Sequence, residues 1–170
     1  MLTIDAINSL PLDDAAAALA TVIENSPWVV RAALAHRPFA SVDHLHDAMM
    51  TVAGNAPLET RLALLRAHPE LAGSSVPLAE MTADSRAEQG TAGLDSLADS
   101  ERAAFDALNR AYRERFTFPF IIAVREHDRA SILAAFRQRL GNTADAEMAI
   151  ALGEMAKVSR ARLHRLVSDR

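Results

Sequence analysis

TADAEMAIALGEMAKVSRARLHRL, residues 143–166, decides the fold class. Met148, Ala151, Leu152, Met155, Val158 and Leu166 return at helical spacing, which predicts a long helix from Thr143 almost to the end of the chain, with one buried stripe. The same habit holds along the whole sequence. Alanine and leucine carry the apolar share while β-branched and aromatic residues are few, a balance that favours helices over sheets.

Working back from that helix, the preceding one contains Ile132, Leu133, Phe136 and Leu140 and stops at Gly141. Before it stands Phe118-Pro119-Phe120-Ile121-Ile122-Ala123-Val124, uniformly apolar, with a proline near its start and too short for a typical helix; it is expected as a buried extended segment. Ser100 can cap a longer helix with Ala104, Leu108, Ala111 and Tyr112 on one side. Thr82 or Asp84 can start a short helix through Ser85 to Gln89 that Gly90 and Gly93 terminate, and residues 69–81, with Gly73 and Pro77, read as a loop. Nearer the start, residues 12–25 have helical spacing at Leu12, Ala16, Leu19 and Ile23, and a short helix from Trp28 ends at Arg37-Pro38. Ser41 caps a helix with Val42, Leu45, Met49 and Val52 on its face, closed by Gly54-Asn55. Pro57 opens another through Leu58, Leu62 and Leu65 that must end near His68-Pro69. One extended segment cannot make a sheet. The expectation is an all-α, single-domain helical bundle over residues 1–170, with about seven to nine helices.

Composition narrows the function. The 170 residues suffice for one domain with a real core, being 50% hydrophobic and 24% charged. The absence of cysteine excludes disulfides, thiolate catalysis and cysteine-ligated metals. A net charge of -4 offers no footprint for nucleic acid. Basic charge is almost all arginine, Lys157 being the only lysine. Residues 1–12 contain Asp5 and lack both a basic start and a long apolar stretch, no run approaches a membrane span, and Ser168-Asp169-Arg170 is not a peroxisomal address. A cytoplasmic protein without membrane or nucleic-acid partners is expected.

Polar residues at core positions are the informative ones. Helical spacing puts Arg162 in the apolar stripe of the last helix. A buried guanidinium needs acceptors, so Arg162 is either half of a structural ion pair or a cation set in a pocket for an anionic or carbonyl-bearing ligand. His68 ends an apolar helix and is fixed by Pro69; the partial negative charge of a helix C-terminus favours its protonated form, as a capping or a catalytic group. Glu88-Gln89 sits in a short helix ended by glycines, with a solvated face as the plain alternative. His44 and His46 form a His-x-His pair, but no third ligand stands at a recognisable spacing, so no metal is expected.

These residues lie in stretches that resemble the 2-oxo-4-hydroxy-4-carboxy-5-ureidoimidazoline (OHCU) decarboxylase family from end to end. Ser26-Pro27-Trp28 and Arg37-Pro38-Phe39 match its N-terminal landmarks, and His68-Pro69-Glu70-Leu71-Ala72-Gly73 its central signature. Ser85-Arg86-Ala87-Glu88-Gln89, Ala92-Gly93-Leu94-Asp95, Leu108-Asn109, Tyr112, Arg115-Phe116 and the run from Phe118 follow in order. Arg139-Leu140, Asn142, Glu147, Ala151-Leu152, Glu154 and Arg162-Leu163 complete it. Glu126 departs from the pattern, since the family often has glycine after the Val-Arg pair.

The resemblance implies a cofactor-free helical decarboxylase, often dimeric, that finishes the conversion of urate to (S)-allantoin. It implies catalytic roles for His68, Glu88 and Arg162. Substrate contacts carry over onto Pro69, Ser85, Arg86, Ala87, Glu88, Gln89, Phe120, Ile121, Ile122, Ala123, Val124 and Arg162, with Arg86 and Ala87 at variable positions. Rival readings are a non-catalytic helical interaction protein, with the three polar residues as a core network, and a helical hydrolase acting on a related ureide.

Overall fold

Helices begin where the sequence supplies acceptors for their first free N–H groups. Thr3 Oγ1 accepts from the Ala6 amide at 3.1 Å and opens α1 (Ile4–Ser9). Ser41 Oγ accepts from His44 N at 3.0 Å and opens α4 (Val42–Asn55), as its position predicts. The computed structural model describes residues 1–72 and 83–170, and these also contain α2 (Leu12–Ala18), α3 (Pro27–Leu34), α5 (Leu58–Arg66), α6 (Ala83–Thr91), α7 (Asp99–Phe116), α8 (Arg129–Arg139) and α9 (Ala144–Leu166). The all-α expectation holds for the described residues. The part of the expected 69–81 loop that falls in residues 73–82, with Gly73, Pro77 and the alternative start at Thr82, lies outside them.

By their contacts the described residues form two compact units, the first built from 1–67 and 156–170, the second from 68–155. In the first, β1 (Leu2–Thr3) pairs in parallel with β2 (Val167–Ser168), a small ladder that the sequence reading did not expect. α3 packs on α2 and α4 around Leu19, Val30, Leu34, Leu45 and Met49, all fully buried. α2 stops at Ala18 rather than at Asn25. Leu19, Val22 and Ile23 are still buried, but in turns, so the core took their side chains without keeping the helix. α3 ends at Leu34, short of the expected Arg37-Pro38. The Arg37 side chain then closes the ends of two helices, donating from Nε to Leu34 O at 3.0 Å and from Nη1 to Leu10 O at 2.7 Å and Ile7 O at 3.2 Å.

The second unit gathers Phe116, Phe118, Phe120 and Phe136 around Tyr112, the chain's only tyrosine, and Phe105 joins them through Phe136. On α7 the buried face is Phe105, Asn109, Tyr112 and Phe116; Ala111 points to solvent, so the expected face was turned by one residue. Ser100 lies within the first turn of α7, and Glu101 does the capping by accepting from Ala98 N at 2.9 Å, which holds its carboxyl below the usual range. Gly90 does not end α6; the helix runs to Thr91. Gly93 follows with φ +67, a left-handed turn that favours glycine; an added Cβ there would displace only the flexible end of Arg129, whose Nη2 it would meet at 2.6 Å. Residues 118–123 are buried, as expected, but as irregular backbone in place of the expected extended segment, and Val124 already belongs to a 3-10 turn, Val124–Glu126. No helix among the described residues is long and apolar enough to cross a membrane.

Candidate active site

His68 stands two residues beyond the end of α5, half-buried, and opens the second unit with half-buried Pro69 and buried Glu70. The three residues after Pro69 run without helical or sheet bonds, and side chains supply their partners. The Gln89 amide clasps them from α6, accepting from Ala72 N at 2.9 Å and donating to Glu70 O at 3.3 Å. Asn109 Nδ2 donates to Leu71 O at 2.8 Å from α7. Arg113, one turn further along α7, pairs with the Glu70 carboxylate at 2.7 Å. Ala72 closes the segment with φ +51, a left-handed conformation that a non-glycine residue adopts only when its surroundings hold it.

α6 presents Ser85, Glu88 and Gln89 inward at positions i, i+3 and i+4, whereas Arg86 and Ala87 are exposed. Its inward face packs the 3-10 turns at Leu94–Ser96 and Val124–Glu126. Within the second unit, then, the segment after His68 is bonded to α6, and α6 touches the end of the stretch Phe120, Ile121, Ile122, Ala123 and Val124, all five of them buried. That stretch has its own polar supports. Arg139 Nη1 donates to Ile121 O at 2.8 Å, and Glu154 Oε2 accepts from Ala123 N at 2.8 Å.

Arg139 is held in turn by a buried carboxylate. Its Nε and Nη2 lie 2.7 and 2.6 Å from Glu147 Oε1, and Glu147, with no exposed surface, also accepts from Tyr112 Oη and from Asn142 Nδ2, the latter at 2.7 Å. Burial, and then the bond to Glu147, pushes the Tyr112 phenol far above its ordinary range, so it stays protonated and donates. The guanidinium carbon of Arg139 sits 4.3 Å from the centre of the Phe120 ring, which stacks on Phe136 at 3.7 Å.

Arg162 belongs to the first unit and is 2% exposed. The expectation of a buried cation is met, and its Nη1 lies 3.4 Å from Glu24 Oε2, itself buried, and 3.5 Å from Thr21 O. Along α9, Met148, Ala151, Met155, Ser159 and Leu163 are buried, while Leu152, Val158 and Leu166 are only half-buried. The His-x-His pair splits. His44 Nδ1 accepts from Ala40 N at 3.1 Å, and His46 Nε2 lies 3.0 Å from both Ala156 O and Ser159 Oγ. Among the described residues no three histidine, aspartate or glutamate side chains form a group able to hold a metal. Burial, and then the nearby Arg160, lower the affinity of His46 for a proton. On the surface of the same unit, His164 and Arg160 meet Asp43, and the bond from His164 holds that carboxyl below the usual range.

Sequence reasoning gave no role to Asn109, Arg139, Glu147 or Glu154. A signal existed for Asn109, which interrupts the stripe of Phe105, Tyr112 and Phe116, and for Glu147, which precedes Met148 on the buried face of α9.

The family model described as OHCU decarboxylase matches residues 8–164. The 2-oxo-4-hydroxy-4-carboxy-5-ureidoimidazoline decarboxylase of Haloferax volcanii is 41% identical over 162 residues, covering 95% of this chain and 94% of that protein. Its namesake in Bos taurus is 35% identical and covers 98% of each chain. Among solved structures, an (S)-allantoin synthase superposes with a TM-score of 0.75 at 29% identity over 98% of this chain, which spans 54% of that one. An OHCU decarboxylase crystallised with (S)-allantoin gives 0.64 at 21% identity over 81% of this chain and 89% of that one, a likeness of fold.

Proposed function

The chain belongs to the OHCU decarboxylase family, and from that premise we propose that it converts 2-oxo-4-hydroxy-4-carboxy-5-ureidoimidazoline to (S)-allantoin in urate degradation. The observation that carries this reading is the match over nearly the whole length of relatives that bear the decarboxylase name. We further read the enzyme as a cytoplasmic homodimer.

The chemistry asks for little beyond positioned side chains. OHCU carries a carboxylate and a hydroxyl on one ring carbon and a ureido group on its neighbour. Breaking the C–C bond to the carboxylate releases carbon dioxide and leaves an electron pair that the adjacent C=N bond can accept. A proton must then reach carbon on a defined face. Orientation, charge stabilisation and one proton carrier suffice, and no metal or electron-sink cofactor is required by this route.

In this reading His68 carries the proton, a role that contributes about 10²–10⁴-fold. Glu88, inward on α6, holds the imidazole or takes hydrogen bonds from the substrate's N–H groups. Arg162 grips a substrate oxygen through charge-assisted hydrogen bonds, with Glu24 orienting the guanidinium. Pro69, Ser85, Gln89 and the 120–124 segment contribute the walls, and the exposed side chains of Arg86 and Ala87 contribute through backbone alone.

The test is the handedness of the product. Free OHCU also loses carbon dioxide, but its planar intermediate accepts a proton on either face and yields a racemate. A preference of roughly 3 kcal/mol between faces gives more than a hundredfold excess of one enantiomer. Circular dichroism or chiral chromatography soon after mixing should find predominantly (S)-allantoin. Racemic product formed at the uncatalysed rate by folded protein would overturn the assignment and favour an interaction protein.

A further inference from the structure

The proposed mechanism makes no use of a deeply buried ion pair in the second unit. Arg139 and Glu147 are 9% and 0% exposed by side chain, and their bonds are short and multiple. As a stabilising device such a pair is poor, because taking both charges out of water offsets most of their attraction, and apolar side chains of similar size often serve a core better. Its placement gives it another use. Arg139 lies over the face of Phe120 and donates to the carbonyl of the next residue, Ile121. Two residues on, the amide of Ala123 is taken by Glu154. Ile122 therefore sits between two peptide groups, each fixed by a charged side chain, in backbone that neither helix nor sheet holds in place.

We propose that Arg139, oriented by Glu147, and Glu154 are positioning residues that set the peptide planes on either side of Ile122 and so fix the wall against which the substrate lies. The inference rests on the reading of residues 120–124 as substrate-binding. Neither anchor touches the reacting atoms; both act through the backbone they hold. Because irregular backbone has no lattice of its own bonds, releasing either peptide lets it rotate, and misplacement on the order of 1 Å at a binding wall weakens binding of substrate and transition state alike.

The experiment is steady-state kinetics on freshly generated OHCU, with thermal melts, for the wild type, Arg139→Met/Glu147→Met, Glu154→Gln and Glu154→Leu. KM does not depend on the fraction of enzyme that is folded, so a merely structural role leaves it unmoved. The double variant should melt cooperatively and show KM raised roughly tenfold or more. Glu154→Leu should raise KM, and Glu154→Gln, which keeps an acceptor for the Ala123 amide, should raise it less. A folded double variant with wild-type KM and kcat overturns the proposal. Should the double variant fail to fold, the Glu154 pair decides, and equal KM values for Gln and Leu at that position overturn it. A wild-type chain without turnover sinks the decarboxylase reading itself, whereas an active wild type with unmoved variants sinks only the positioning roles.

Discussion

The two units spend their buried polar side chains in different places. In the first, several side chains close helix ends: Thr3 and Ser41 at helix starts, Arg37 on the last carbonyls of α1 and α3, and Asp169 on Val42 N at 2.7 Å. The second has caps too, at Glu101 and Asp128, but others of its side chains bond the middle of backbone that belongs to no helix, with Gln89 and Asn109 on residues 70–72 and Arg139 and Glu154 on residues 121 and 123. The reason is physical. A helix satisfies its own interior, so only its ends need help, while buried irregular backbone must be satisfied residue by residue from outside. A protein takes on that second burden where the backbone itself has work to do. The segment after the proposed catalytic histidine and the proposed binding wall are two stretches so treated.

The strongest test of this contrast is His68→Asn. Asparagine leaves the supports of residues 70–72 untouched, so the melting temperature should stay near that of the wild type while kcat falls about a hundredfold or more. A near-normal rate would remove His68 from the chemistry. Asn109→Leu comes next. It takes away the partner of the Leu71 carbonyl at nearly constant volume, and leaving such a group unmet costs about 1–3 kcal/mol. Turnover per folded molecule should drop as well, since the backbone after His68 is released. A variant that loses stability but keeps full activity when folded would mean that the second unit's supports are no different in kind from caps. The smallest effect is expected for Ser41→Ala in the first unit. Losing the cap of α4 costs about 1 kcal/mol by denaturant titration, with kcat and KM unchanged per folded molecule. Kinetic damage from this cap would erase the contrast from the other side.

The same contrast explains what could be read from the sequence. Helices with their own start signals were legible, and Ser41 marks its helix to the residue. Helix α2 was overdrawn because Leu19 and Ile23 keep helical spacing while packing from turns; periodicity reports burial, and burial does not require a helix. The expected face of α7, with Ala104, Leu108 and Ala111 beside Tyr112, differs from the observed one because the large rings of Phe105 and Phe116 decide what packs. Two-residue strands carry too little alternation to be seen at all. At the candidate site, the polar residues that break a stripe were visible as oddities, Arg162 above all, but their partners were not. Glu24 lies 138 residues from Arg162, and Ile121 lies 18 from Arg139, distances at which spacing along one helix says nothing.

The division of the chain has a consequence for synthesis. Residues 68–155 are contiguous, whereas the first unit is assembled from the leading stretch and residues 156–170, including Val167 and Ser168, which pair with Leu2 and Thr3. A ribosome releases the chain in order, at about 5–20 residues per second. The second unit has therefore been synthesised entirely while the leading helices still lack the end of α9, with Leu163 and Arg162, that completes their core. For about one to three seconds the second unit is complete in sequence while the first is not, and the apolar faces of α2, α3 and α4 are the ones a chaperone would meet.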